Sequence, residues 1–396
     1  MEISLPPAAR LVVARLGADF TPPVWLVGGA VRDLLRGEAA LDIDLVLDGP
    51  PAVVADRLGG AVRAYDRFGT ATVELDGSTI DIARARREVY ARPGALPAVE
   101  PAPLPEDLRR RDFTINAIAL GLTGPIAGRL EAFPGAVEDL HAGRLRVLHQ
   151  ASFRDDPTRL LRLARYRGRL GFQVDPATRG LVDEAVAIGA LRTVSGSRIG
   201  AELRLLARER DPLAAFLALR ELGLAVALEP GFGLRDAAEA RHALELLPAD
   251  GRRDLLVIAA SARGVAAERL SPWLDELAFP AGERAVVVAA AAGAEALARA
   301  LSAAAGVPSA IAQAAGAAPV EAVALAGALG AERPAREWLD GLRHVRLAID
   351  GDDLLAAGVP RGPAVGEGLR AALAAALDGR APGRDEQLAE ALRAAG

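Results

Sequence analysis

The hydrophobic period of this chain is mixed in its first part and helical in the rest, and that division limits the folds open to it. Between residues 24 and 83, apolar side chains come in short runs or at every second position, the period of strands. Residues 24–27 form an apolar run that ends at Gly28-Gly29, as a strand entering a turn does, and 31–35 continue as a helix. Residues 41–47, Leu-Asp-Ile-Asp-Leu-Val-Leu, alternate and are rich in branched side chains, which predicts a strand. Residues 51–59 read as a short helix. Three strands are expected at 61–65, 70–75 and 78–83, the last two joined by a hairpin turn at Asp76-Gly77. Residues 1–20 read as a helix. Residues 92–105 hold five prolines and no regular period, which predicts a long loop. From about 151 onward the pattern is helical, punctuated at Asp211-Pro212 and Glu229-Pro230-Gly231. The expected fold class is α+β, a head built on a mixed β-sheet followed by an all-α remainder.

Charge matters only locally. The net charge of −5 does not mark a nucleic-acid binder, but residues 154–169 hold six arginines against two aspartates, a local sum of +4. Arg84, Arg86 and Arg87 form a second basic group, and Arg109, Arg110 and Arg111 a third. Phosphate binding needs such a patch rather than a basic isoelectric point. Every basic side chain apart from histidine is arginine, and Asn116 is the single asparagine. The absence of cysteine excludes disulfides and thiolate metal sites. The N-terminus lacks a basic region before an apolar run, so no signal peptide is expected. The Ala- and Val-rich stretch 285–332 carries charges and glycines and reads as buried helices rather than a membrane span. The expected compartment is the cytoplasm.

Four constellations carry chemistry. In Asp42-Ile43-Asp44 the two carboxylates sit at i and i+2 of a strand and share a face, with Ile43 directed inward. Paired carboxylates suit Mg²⁺ that also binds substrate phosphates, and two such metals can activate a hydroxyl and neutralise a departing pyrophosphate. Asp81, on another alternating strand, can complete the set. In Gly28-Gly29-Ala30-Val31-Arg32-Asp33, a turn between strand and helix lets the backbone approach a phosphate, with Arg32 adding charge. It matches neither a P-loop nor a Rossmann fingerprint. Arg110-Arg111-Asp112-Phe113-Thr114-Ile115-Asn116 reads as a polar cluster at a helix start. Asp155-Asp156-Pro157-Thr158-Arg159 opens a helix that continues to Arg162 and Arg165. Asp156, Arg159 and Arg162 follow at i, i+3 spacing and are expected on one face. A fixed Asp–Arg pair can read the amine and adjacent ring acceptor that cytosine and adenine share. Each constellation alone also has a plain structural explanation: an exposed strand end, a turn needing glycine, a capped helix, a helix salt bridge.

In this order, the motifs resemble the class II tRNA nucleotidyltransferases, the family of CCA-adding enzymes and bacterial poly(A) polymerases. The matching strings are LVGGAVRDLLRG (26–37), DIDLV (42–46), RRDFTINAIAL (110–120) and FRDDPTRLLRLARYRGRLGF (153–172), with IDGDDLLAAGVPRGPAVGEGL (349–369) similar to the family's tail. The resemblance implies a nucleotidyltransferase head at 1–150, a helical neck with the base-reading motif at 151–215, and a tRNA-binding body and tail at 216–396. It implies that Asp42 and Asp44 bind Mg²⁺. It also implies that Gly28, Gly29, Arg32, Asp33, Arg111, Asp112 and Asn116 shape the triphosphate pocket, and that Asp156 and Arg159 read the base with support from Arg162 and Arg165. The implied partners are ATP, CTP and the acceptor and T arms of tRNA, with no membrane and no obligate protein partner. One departure stands out: the family's base-reading motif usually begins Glu-Asp, whereas this chain has Asp155-Asp156. The expected reaction is addition of CCA to the tRNA 3′ end, with addition of the terminal A alone and poly(A) synthesis as the alternatives. The segment 84–109 looks full length, which counts against addition of CC alone. The remote alternative is an RNA-binding protein with a dead active site.

Overall fold

The computed structural model describes residues 5–39, 43–59, 61–65 and 70–396. They divide into two compact units, Met1–Ser195 with Leu222–Leu224, and Gly196–Glu221 with Ala225–Gly396.

The first unit is built on strands β1 (Val24–Val27), β2 (Ile43–Leu47), β3 (Ala61–Tyr65), β4 (Thr70–Leu75), β5 (Ser78–Arg84), β6 (Arg86–Val89), β7 (Ala98–Pro101), β8 (Ile118–Gly121) and β9 (Leu130–Ala132). Seven of them form one mixed sheet in the order β3-β4-β5-β2-β1-β8-β9. The β2–β5 pair runs parallel and its neighbours antiparallel. Alternation decides which side chains go inward. Ile43, Leu45, Ile80 and Ile82 are buried on one face. On the other, Val46 packs with Trp25, Val27, Ala85, Leu104 and Leu108. Asp44 shares the Val46 face and stands at the strand's end, partly exposed. Asp42 lies outside the described residues.

Helices α1 (Pro7–Leu16), α2 (Gly29–Leu35), α3 (Ala52–Leu58), α4 (Leu104–Arg109), α5 (Ala136–His141), α6 (Ser152–Asp155), α7 (Thr158–Leu170) and α8 (Pro176–Ala187) complete this unit. The first helix stops short of the expected residue 20, because Gly17, at φ +76°, ends it. Helix α7 buries Leu160, Leu161, Leu163 and Ala164 and ends on Gly171 in the left-handed region.

Three local expectations need correction. The segment 92–105 is not a structureless loop: β7 pairs with β6, placing Arg87 opposite Glu100, and α4 begins at Leu104. The prolines fit because Pro101 closes a strand end, while Pro103 and Pro105 occupy the start of α4, where no amide donor is needed. Residues 110–117 are not a helix start. Arg110 caps the C-terminus of α4, and a 3₁₀ turn, Thr114–Asn116, leads into β8. Finally, Asp156 is outside α7. It sits in extended conformation, and its Oδ1 accepts from the Thr158 amide at 3.1 Å and the Thr158 hydroxyl at 2.7 Å. Helical i, i+3 spacing therefore joins Arg159, Arg162 and Arg165 but not Asp156. After 151, strand Gln173–Val174 pairs with Arg144–Leu145, a small interruption of the expected helical pattern.

The second unit is helical throughout its described elements. Its longest helix, Ala281–Ala304, is long and apolar enough to cross a membrane by length and composition. It supplies Val287, Ala290, Ala294, Ala298 and Leu301 to the unit's core, and its last two core residues pack with Leu246, Ile311, Val323 and Trp338. Near the C-terminus, Asp350 and Asp353 form a capping box that starts helix Gly351–Ala356.

The strand carrying Asp44 is anchored by Ile43, 2% exposed. Ile43→Ala is expected to lower the stability of the first unit by roughly 2–5 kcal/mol in urea unfolding. A loss under about 1 kcal/mol would show that the start of β2 is not packed as described.

Candidate active site

Four neighbouring strands bring the candidate residues to one end of the sheet. Asp81 comes from β5, Asp44 from β2, Gly28 from the turn after β1, and Arg111 to Asn116 from the segment entering β8. Asp44 and Asp81 are direct register partners, so both carboxylates leave the same face of the parallel pair. Thr72 donates to Asp81 Oδ1 at 2.6 Å, which fixes one carboxylate oxygen. Oxygen donors of this kind match a hard divalent cation.

Gly28 is glycine for two reasons. Its φ is +72°, and a Cβ there would stand 2.9 Å from Arg111 Nη1 and 3.8 Å from Asp44 Oδ2. The missing side chain lets a guanidinium and a carboxylate both come close to the Gly28 backbone. Arg111 is held from behind. Its Nη2 donates to Asp107 Oδ2 at 3.1 Å, and Asp107 is fully buried. Asp107 also accepts from Arg110 at 2.7 and 2.9 Å. Burial alone would raise its pKa, but the charges of Arg111 and Arg110 outweigh that and hold it below the usual carboxylate range.

Behind the turn, a chain of charge-assisted hydrogen bonds runs through the protein. Arg162 donates to Asp112 Oδ2 from Nε at 2.8 Å and from Nη2 at 2.6 Å. Asp112 Oδ1 accepts from Asn116 Nδ2 at 2.9 Å and from the Phe113 amide at 2.8 Å. Asn116 Oδ1 accepts from Arg32 Nη1 at 2.8 Å, and Arg32 also forks onto Asp33 at 2.7 and 3.0 Å. Arg32 is 1% exposed, so this guanidinium braces the glycine turn from within. Burial by itself would raise the Asp112 carboxyl. The Arg162 charge and the bonds from Asn116 and Arg162 overcome that and hold its pKa at about 2.

Arg159 is also buried. Its Nη1 donates to Ser152 Oγ at 2.8 Å and its Nη2 to the Arg110 carbonyl at 2.6 Å, which fixes the plane of the guanidinium. Beyond Arg110 the bonding continues into the β6–β7 hairpin: Arg110 Nη1 donates to Glu88 at 2.9 Å, and Tyr90 Oη donates to the same carboxylate at 2.7 Å. Burial and the Glu88 charge push the Tyr90 hydroxyl above its ordinary range.

Of the residues expected from the sequence, Gly28, Gly29, Arg32, Asp33, Asp44, Asp81, Arg111, Asp112 and Asn116 lie together at one end of the sheet. Arg159, Arg162 and Arg165 adjoin from α7. Asp107, Ser152 and Tyr166 were missed. Only Tyr166 left a trace in the sequence: it is one of three tyrosines, placed four residues after Arg162 and one after Arg165.

Acidic strand partners, a glycine turn and braced arginines at one sheet end define a nucleotidyltransferase-type head. Residues 24–146 match the family model of the Poly A polymerase head domain. An A-adding tRNA nucleotidyltransferase of Geobacter sulfurreducens is 42% identical over 223 residues, 55% of this chain but only 25% of that longer protein. A CC-adding tRNA nucleotidyltransferase of Deinococcus radiodurans is 33% identical over 350 residues, 87% of this chain and 82% of that protein. A solved CCA-adding enzyme in complex with ATP is similar with a TM-score of 0.82 and 29% identity, over 98% of this chain and 94% of the other. The chain belongs to the class II tRNA nucleotidyltransferases.

The buried Asp112 gives this site a pH signature. Its pKa in the folded protein is depressed from 3.8 to about 2. The stabilisation is therefore complete above about pH 4 and is lost as pH falls toward 2. Asp112→Asn is expected to cost on the order of 2 kcal/mol at pH 7, with the gap to wild type closing between about pH 4 and 2 in urea titrations. A gap that stays constant across that range would contradict the ion pair with Arg162.

Proposed function

We propose that this protein is a template-independent nucleotidyltransferase that adds nucleotides from CTP and ATP to the 3′ end of tRNA and releases pyrophosphate. The observation that carries the reading is the cradle at Gly28, where the Asp44 carboxylate and the Arg111 guanidinium both approach the position a side chain would take. A triphosphate needs that combination: cation-binding oxygens, a fixed guanidinium, and backbone open to close approach.

Members of this family generally use a divalent metal. In this reading Asp44 holds it together with Asp42, with Asp81 alongside, and the ion is Mg²⁺. When bound, the metal lowers the pKa of the attacking hydroxyl and neutralises charge on the leaving pyrophosphate. The chain's own residues do the rest. Gly28 and Gly29 admit the phosphates, Arg111 donates to them while Asp107 holds it in place, and Arg32, Asp33, Asp112 and Asn116 keep the turn rigid. Asp156 accepts from the exocyclic amine of cytosine or adenine, and Arg159 donates to the adjacent ring acceptor. Ser152 and the Arg110 carbonyl set the plane of Arg159, which is what discrimination between base edges requires. The roles divide the chain into a catalytic head at 1–150, a neck at 151–215 and a tRNA-gripping body and tail at 216–396, working in the cytoplasm. Residues 151–195 lie in the same compact unit as the head.

The segment 84–109 carries a complete β6–β7 hairpin, which supports use of both nucleotides rather than CTP alone. A second reading, addition of the terminal A only, is favoured by the 42% identity to an A-adding relative.

Two measurements test this. Asp44→Ala is expected to lower nucleotide incorporation by about a hundredfold or more, with melting temperature and tRNA binding nearly unchanged. Near wild-type turnover would remove Asp44 from the reaction. The reaction itself is tested with three tRNAs, ending before the first C, after one C and after both, each given CTP, ATP or the two together. Extension of all three is expected. Extension of the CC-ending tRNA alone, by ATP alone, selects the second reading, and long A tails on other RNA would select a poly(A) polymerase.

A further inference from the structure

Three guanidinium groups from two parts of the first unit converge on one aromatic ring. The guanidinium carbons of Arg32, Arg162 and Arg165 lie 5.3, 5.7 and 5.1 Å from the ring centroid of Tyr166. Each is within the range of a cation–π contact. Arg162 Nη2 also reaches the Tyr166 hydroxyl at 3.3 Å, and Phe113 meets the ring edge-on with centroids 5.8 Å apart. Tyr166 is buried, as are Arg32 and Arg165.

Gathering like charges in a buried place is unfavourable, because they repel and have lost water. The carboxylates of Asp33 and Asp112 accompany Arg32 and Arg162. The ring adds what a carboxylate cannot: a diffuse negative face that attracts several cations at once without drawing any of them into a directional fork. An aliphatic residue of similar size would fill the volume and give no such attraction. The three arginines also divide by role. Arg32 braces the glycine turn on the phosphate side, while Arg162 and Arg165 lie on α7, the helix that carries the base-reading Arg159.

We propose that Tyr166 is a positioning residue for nucleotide binding. Through its ring it sets the arginine behind the phosphate turn relative to the arginines of the base-reading helix, so that both ends of a nucleoside triphosphate meet the protein in register. This rests on the nucleotide-binding reading above. It touches no reacting atom itself and acts through Arg32, Arg162 and Arg165.

The test changes the ring's electrons and leaves its shape alone. Tyr166→Phe is the reference, and phenylalanine at 166 is then replaced in the full chain by its mono-, di- and trifluorinated analogues. Kd for ATP is measured calorimetrically with Mg²⁺ present, alongside the melting temperature of each protein. Fluorination drains the negative ring face, so Kd is expected to rise stepwise, on the order of tenfold across the series, while melting temperatures stay together. A flat series overturns the proposal, as does a rise in Kd that follows falling melting temperature, the pattern of a residue that only supports the fold. A wild type that binds no ATP overturns it as well. A wild type that binds ATP yet adds nothing to tRNA would instead defeat the proposed reaction and leave the role of Tyr166 to be decided by the series.

Discussion

The buried carboxylate of Asp112 is the joint on which the site is assembled. It binds Arg162 of α7 through one oxygen and Asn116 through the other, and Asn116 passes the connection to Arg32 behind the glycine turn. Buried ion pairs of this kind contribute little net stability against well-packed apolar residues, because desolvation consumes most of the attraction. Their value here is positional. Each bond is charge-assisted and directional, so a displacement of α7 is felt at the turn.

The sheet supplies the other half of the geometry. Its strand order places β5, β2, β1 and β8 side by side, so residues far apart in sequence, from Gly28 to Asn116, meet at one end without long connections. Apolar anchors on both faces keep the strands in register, and register matters because a one-residue slip would turn Asp44 into the core. The acidic and basic halves then differ in what holds them. Asp44 and Asp81 are short side chains placed mainly by the pairing of their strands, whereas Arg32, Arg111 and Arg159 are long side chains that need second partners, Asn116, Asp107 and Ser152, to hold one orientation. A flexible arginine pays rotamer entropy on binding, and one already pinned by a neighbour does not.

How much of this could be read from the residues depends on the range of the interaction. Period-two alternation was enough to predict the strand over 43–47, the outward Asp44 and the inward Ile43, because strand geometry is local. Gly28-Gly29 marked a turn for the same reason. The segment 110–117 misled because adjacent charges before apolar sequence look like a helix start. What bends the chain there is Asp112 bonding its own neighbour's amide, which no periodicity reports. Prolines in 92–105 hid a strand because their positions at strand and helix ends are tolerated. Asp156 was placed on a helical face that begins two residues later. Asp107 and Ser152 carry no local signal at all: each is significant only for the arginine it meets across the fold, although Tyr166 was traceable as a rare residue type beside two arginines.

The central claim is that the Gly28 cradle receives the triphosphate while α7 receives the base. A crystal structure of the full chain with Mg²⁺ and a non-hydrolysable ATP analogue tests it directly. The account predicts metal density contacting the Asp44 carboxylate, phosphate oxygens against Gly28, Gly29 and Arg111, and the adenine edge at Asp156 and Arg159. A triphosphate bound elsewhere, with Asp44 contacting neither metal nor phosphate, would contradict it.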